Sequence, residues 1–286
     1  RALNMTGGTL NNTSGSVFFR TVSAGLMLNS LAAATSSTIT TGIDMTFGNM
    51  AVNAANGAAT NDLVISGVIS QNTGGGSGNK TITKDGAGTL LLSGTNTYAG
   101  GTTVNGGTLT GSAGVLFDST QGGSFGTGAI TVNSGATLTS SANFVIGGGQ
   151  NTTRVLNLNG GTLDLKGAST GGEYIRTINL TGGTVLTSDG GSGGATSDWF
   201  RAPNGGLSLN SLASSTTSTI STRFDLTLGS LAVDVANGSA ANDLIISGNI
   251  TENTDAGSGA RNLTKSGTGT LELTGTNTYS GATTVS

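Results

Sequence analysis

The chain of 286 residues contains no cysteine, no histidine and a single proline, and only 4% of it is aromatic and 9% charged. Each shortage excludes something. Without His or Cys there is no Ser-His-Asp or Cys-His triad, no thiolate chemistry, and no zinc, haem or iron–sulfur centre of the usual ligand sets. Any metal would have to be held by carboxylates alone. The lack of cysteine leaves the redox compartment open, because disulfides outside the cell are permitted but not required. Charged residues fall far below the roughly 25% of ordinary domains, which speaks against a helical bundle or a doubly wound α/β enzyme. A net charge of −3 with scattered Lys and Arg offers no basic patch to release phosphate counterions, so no nucleic-acid partner is expected. No run approaches the ~20 continuous apolar residues of a membrane span. The chain opens at Arg1 with neither an initiator methionine nor a signal peptide, and reads as a piece of something longer.

What fills the chain is small and polar: 51 Gly, 49 Thr, 33 Ser and 26 Asn make up more than half of it. Low net charge and short alternating runs of Leu, Ile and Val separate it from a self-repelling disordered tract. Compared with itself, the chain aligns Phe18–Asn105 without a gap onto Trp199–Ser286 at an offset of 181, with 51 identities in 88 positions. LMLNSLA at Leu26 answers LSLNSLA at Leu207, and NDLVISG at Asn61 answers NDLIISG at Asn242. NMTGGTL at Asn4 answers NLTGGTV at Asn179 at an offset of 175. The expected organisation is one continuous solenoid, with a first unit over residues 1–178 and a second, truncated unit over 179–286.

A shorter period runs inside the unit. Turn-then-strand motifs of the form G-G-T-hydrophobic, or close variants, place Leu90, Leu109, Leu138, Leu163 and Val185 at spacings of 19, 29, 25 and 22, the spacing of solenoid coils. Around them Leu90 and Leu92, Ile130 and Val132, Leu156 and Leu158, Leu163 and Leu165, and Leu226 and Leu228 alternate with other residues, so period two puts each pair on one face. In the repeat Leu90 and Leu92 stay leucine while Leu91 between them becomes Glu272. One such strand buries too narrow a stripe to offset the entropy of ordering it, whereas coils stacked ~4.8 Å apart share a continuous core. Gly, Asn and Asp suit the corners, and proline, which would remove a ladder hydrogen bond, occurs only at Pro203. The expected fold is all-β, a right-handed parallel β-helix (β-solenoid) of tandem units, with roughly 11 to 14 coils in a rod of about 55 to 70 Å. Alanine-rich pieces such as AVNAANGAAT at Ala51 are too short and broken for helices and are expected in loops protruding from the rod.

The stretch GAGTLLLSGTNTYAGGTTVNGGTL from Gly86 to Leu109, repeated from Gly267 onward, resembles the autotransporter-associated β-strand repeat, also called the passenger-associated transport repeat. GTGAITVNSGATL from Gly126 to Leu138 is similar to linkers between such repeats. The resemblance implies a secreted β-helix passenger of a bacterium, displayed at or released from the cell surface. It implies no activity. Other members serve as adhesin stalks, and attachment through a C-terminal membrane barrel is implied only by the resemblance.

Because β-helices also carry polysaccharide lyases and hydrolases, the acids need weighing. Asp44 with Asp225 and Asp62 with Asp243 recur at the offset, while Asn53 becomes Asp234 and Gln71 becomes Glu252. An acid and base pair or a carboxylate cage needs convergence within several ångström, which spacing does not show. Asp62 and Asp243 are read as corner residues bonding local backbone in preference to calcium ligands. Two G-x-S-x-G strings, Gly122–Gly126 and Gly190–Gly194, are accidental matches in this composition and lack the histidine a nucleophile elbow needs. The glycine run Gly74–Gly78 reads as a loop. Aromatic pairs followed by arginine, Phe18-Phe19-Arg20 and Trp199-Phe200-Arg201, either plug a wide coil or form a contact surface for sugar rings or a neighbouring protomer. Tyr98 and Tyr279 in the shared GTNTY should pack with the hydroxyl bonded at a corner. Thr-x-Thr pairs (Thr38 and Thr40, Thr81 and Thr83, Thr137 and Thr139) are too irregular for a flat threonine face.

These observations point to a non-enzymatic structural protein without catalytic, cofactor or metal residues, a segment of an extracellular β-helical fibre or cell-surface stalk. An adhesin that binds glycans or host surfaces through protruding loops is the alternative, and a glycan-cleaving β-helix enzyme a weaker one. The expected partners are further copies or continuations of the same chain, or a glycan or cell-surface ligand.

Overall fold

The computed structural model describes residues 1–12, 18–71, 78–114, 123–147, 149–166, 172–188, 199–252 and 259–286. The alternating runs do become strands, and no helix occurs among the described residues. A first sheet of twelve strands runs from Ala2–Met5 through Leu26–Ser30, Ile82–Asp85 and Val155–Asn159 to Thr283–Val285. A second, of eleven, runs from Thr9–Leu10 through Thr89–Leu92 and Thr162–Leu165 to Leu271–Leu273. Short third sheets close some coils: Phe18–Arg20, Gly42–Asp44 and Ile69–Ser70 near one end, and Glu173–Tyr174, Trp199–Arg201, Arg223–Asp225 and Ile250–Thr251 farther along. Neighbouring strands in every sheet come from successive coils and pair in parallel. The chain is a β-solenoid, and the eleven steps of its first sheet stack to a length of ~53 Å.

The core is a set of in-register columns. Leu90, Leu109, Leu138, Leu163 and Val185, the positions of the turn-then-strand motif, pair one upon the next and are fully buried. Across the rod Ile82, Thr102, Ile130, Leu156, Ile178 and Leu209 form the facing column. Most inward side chains thus have apolar neighbours above and below, Thr102 being a polar member of the column, and a register slip of one residue would destroy this. At the corner after Ile82–Asp85, Gly86 has φ +80°, and a Cβ there would lie 2.3 Å from the Ala54 carbonyl oxygen of the coil beneath. Gly267 repeats this with φ +78° and 2.4 Å to the Val235 oxygen, so only glycine lets the chain turn this close to the previous coil.

Two expectations need correction. The alanine-rich piece is a loop only in its second part: Met50–Ala54 is an inner strand of the first sheet, with Met50, Val52 and Ala54 buried, and residues 55–60 follow it outside any strand. Pairing to Leu26–Ser30 and Ile82–Asp85 on either side holds the strand there, and Ala54 is small enough to face the core. Leu226 and Leu228 are not an alternating strand pair, because the strand ends at Asp225 and the chain turns; Leu226 is buried and Leu228 half-buried at that corner.

The two copies of the repeat are not stacked residue on equivalent residue. Leu209 is the counterpart of Leu28, yet its column leads back through Ile178, Leu156, Ile130, Thr102, Ile82 and Met50 to Leu26. In the second sheet Ile220, the counterpart of Ile39, likewise leads back through Val185, Leu163 and Leu90 to Leu63, which pairs with Ser37. Equivalent positions therefore step two residues around the coil over seven coils, from the Leu26–Ser30 strand to the Leu207–Ser211 strand.

Substitution should separate the two faces of one rod. Leu163→Ala, in the middle of a buried column, should cost about 2–5 kcal/mol in denaturant unfolding. Thr131→Ala, on the outer face, should cost less than about 0.5 kcal/mol; equal losses would contradict this assignment of inside and outside.

Candidate interaction surface

Among the described residues the acids do not gather into a site. Asp62 Oδ1 accepts the Gly57 N–H at 2.6 Å and Oδ2 the Thr89 N–H at 2.7 Å, and Asp243 accepts Gly238 and Thr270 at 2.6 and 2.8 Å in the same way. Thr89 and Thr270 lie on the next coil, so each aspartate ties its own turn to the coil above. The two N–H bonds hold the Asp243 carboxyl below the ordinary carboxylate range. Asp44 and Asp225 accept the N–H and hydroxyl of Thr46 and Thr227 and pair with Arg20 at 2.8 Å and Arg201 at 3.4 Å. Gln71 and its counterpart Glu252 both accept two backbone N–H groups, from residues 80 and 99 and from 261 and 280. No group of three or more acids able to hold a metal occurs among the described residues.

Among the described residues three long charged side chains lie inside the rod. Lys84 points into the core column between Val52 and Val104, fully buried, and its Nζ donates to the carbonyls of Asp85, Gly86 and Gly106. It fastens one corner to the next coil, and burial pushes its ammonium down to about 8. Lys265 repeats the bonds to the two local carbonyls, those of Ser266 and Gly267. Glu173 accepts Ser140 Oγ at 2.7 Å and the N–H groups of Val145, Ile146 and Gly147 at 3.0 to 3.2 Å. Burial nevertheless raises its carboxyl to about 7, against the pull of those four bonds. Arg154 donates to the Gly126 and Gly128 carbonyls, and burial pushes it down to about 10. Sequence reasoning missed all three. For Lys84 a signal existed: it stands two residues from inward Ile82, and the same lysine recurs at 265.

The two aromatic pairs sit differently. Trp199 and Phe200 are buried, Phe200 against Phe224 with ring centroids 5.7 Å apart and with Glu173 in register beneath. Arg201 and Arg223 lie over the Trp199 ring at 5.4 and 4.1 Å from its centroid. Phe18 is 47% exposed, Phe19 is half-buried and Arg20 exposed, with its guanidinium 6.0 Å over the Phe47 ring. Among the described residues no strand lies on the outer side of Phe18–Arg20 in its sheet, whereas Glu173–Tyr174 covers Trp199–Arg201. Tyr98 is fully buried with its hydroxyl 2.6 Å from Thr102 Oγ1, and Tyr279 bonds Thr283 at the same distance.

The outer faces are polar ladders. On the first sheet Asn29 donates to Asn4, Asn105 to Asp85, Asn133 to Asn105 and Asn159 to Asn133. A second file then takes over, with Asn179 donating to Asn157 and Asn210 to Asn179, both at 2.8 Å. The change of file falls on the strand Val155–Asn159, which carries asparagine in both, and it is the two-residue step seen from outside. On the second sheet Thr89, Thr108, Thr137, Thr162, Thr184 and Thr219 form one file of threonines, not a double one. At the edge where the chain enters the first sheet, Gly25, Met27, Asn49, Ala51 and Thr83 line a hollow of about 350 Å³. Their counterparts Gly206, Ser208, Ser230, Ala232 and Thr264 line one of about 210 Å³, and Arg1 and Arg176 border them at the matching place. At the other end of the same strand stand Leu31 and its counterpart Leu212, 50% and 49% exposed.

Gly190–Gly194 lies outside the described residues, as do Gly122 of the first G-x-S-x-G string and all but the last residue of Gly74–Gly78.

The passenger-associated-transport-repeat family matches residues 82–110 and 263–286. These segments hold the lysine corner, the paired leucines and the Asn-Thr-Tyr corner of each unit. Over 94% of its length the chain is 34% identical to the adhesin BmaC autotransporter of Brucella suis biovar 1 (strain 1330), of which it spans 9%. No solved structure matches. No helix is long and apolar enough to cross a membrane among the described residues.

The buried carboxyl makes stability depend on pH. Between its ordinary 4.5 and about 7 the folded chain keeps a proton on Glu173 that the unfolded chain has released, so stability falls as pH rises through that window. The melting temperature should therefore be lower at pH 7.5 than at pH 5, and Glu173→Gln should flatten the difference. An unchanged slope in the variant would remove Glu173 as its source.

Proposed function

We propose that this chain, an extracellular cell-surface passenger segment of the autotransporter-associated repeat class, acts as a stiff non-enzymatic stalk built from tandem units of about 181 residues. The observation that carries the reading is the unbroken twelve-strand ladder: its columns run through the join between the two units, and the strand Thr177–Thr181 spans that join. In such a rod each coil contacts only its neighbours, so length grows by adding units without a new core. The acids support the same reading, since each one that recurs between the units serves a turn or an arginine and none faces another across a groove. A second reading, an adhesin that contacts glycans or host surfaces, is favoured by the adhesin relative and by the half-exposed Phe18 with Arg20 beside it. The two are compatible if a stalk carries contact residues on its sides.

Electron microscopy of chains with one, two and three further units tests the stalk. Each added unit should lengthen a straight rod by ~34 Å, seven coils at ~4.8 Å. Beads on a flexible string, or lengths that do not scale with unit number, would sink it. A glycan array probed with the present chain decides whether the sides bind sugar.

A further inference from the structure

We propose that the outer face of the first sheet is the surface through which two copies of this chain pair, side by side and in the same direction, with Leu31 and Leu212 of each rod seated in the corner hollows of the other. The inference rests on the stalk reading and adds to it a partner and a surface.

The face is nearly uncharged. Among the outward residues of its strands only Asp85 and Asp234 carry charge, bonded to Asn105 and Ser266 at 2.9 and 2.8 Å. With so few charges, and both already hydrogen-bonded, the face can be covered without burying an unpaired charge. The face is also large enough. Strands of three to five residues span ~15 Å on average and eleven steps rise ~53 Å, giving roughly 780 Å² per rod, close to the ~800 Å² per partner of a standard stable interface.

Its relief is self-complementary. In the strand Leu207–Ser211 the chain enters beside the hollow at Ser208, passes Asn210 in the central file and leaves at Leu212, all three outward by alternation. A two-fold axis parallel to the rods exchanges the two edges of the face and keeps every coil at its own height. It therefore brings the leucine of one rod over the hollow of the other, and the hollow, reaching from the Arg176 coil to that of Thr264, spans the coil that carries Leu212. Antiparallel rods would set leucine against leucine and hollow against hollow. The same relief recurs at Leu31 with Met27 and Asn49, displaced two residues around the coil. A seam that drifts sideways makes its partners wind about each other, as a drifting heptad does in helices, so paired rods form a two-stranded rope.

The absence of cysteine makes the test clean. Sedimentation of the present chain should show a concentration-dependent dimer, and Leu31→Glu with Leu212→Glu should weaken it at least tenfold while thermal melting of the monomer stays unchanged. Ser208→Cys with Leu212→Cys should oxidise to a cross-linked dimer. Within one chain those positions are ~13 Å apart on a strand and cannot bond. Leu212→Cys alone should stay uncross-linked. Monomers at every concentration, a dimer indifferent to the two glutamates, or cross-linking by Leu212→Cys alone would overturn the proposal. Straight rods that remain single would leave the stalk standing without the pairing, whereas particles that are not rods would remove the stalk reading itself.

Discussion

Everything in this molecule depends on parallel, in-register stacking of one coil on the next. A coil alone leaves its backbone N–H and C=O groups unpaired on both sides and exposes its leucines. Its neighbours supply both ladders and the core in one step. Register then becomes the quantity under strongest constraint, because a slip of one residue turns every inward leucine outward. A slip of two keeps the inside in and the outside out. The structure uses that allowed step once, between its two units, and the exterior asparagines change file on Val155–Asn159 to follow it.

Corners are the second requirement, since each coil must turn sharply several times while its turns lie against those below. The chain meets it with polar side chains that bond across coils: Asp62 to Thr89, Asn96 to both Ile69 and Ser124, and the longer Lys84 to Gly106. These bonds explain the composition better than the core does. A solenoid has much corner and little interior, so Gly, Asn, Thr and Ser predominate while charge and aromatics are scarce. They also occupy the acids that recur between the units, since Asp44, Asp62, Asp225 and Asp243 each accept a backbone N–H of their own turn.

As a stalk, the rod would act through its shape and surface. A rod whose sides carry amide and hydroxyl files, recurring hollows and matched leucines presents the same features once per unit, so any contact made by one unit is available to the next at a fixed height. The family match and the adhesin relative place such a rod outside the cell, where reach and repetition are useful properties for a surface protein.

The amino-acid sequence by itself determined the solenoid, because period-two alternation and motif spacing are local patterns with a single way of being buried, and the 181-residue repeat shows when the chain is compared with itself. The turn-then-strand leucines were legible as one column, and Asp62 and Asp243 as corner residues, for the same reason. Tertiary structure alone decided what depends on which coil lies above which. The piece at Ala51 looked like a loop by composition, but strands on both sides hold its first four residues in the sheet. Lys84, Glu173 and Arg154 drew no notice in the sequence, and only stacked carbonyls or N–H groups make their burial tolerable. The two-residue step between units, the asparagine files and the paired hollows likewise have no trace in a linear reading, since each joins residues twenty or more positions apart through a register that only the folded stack defines.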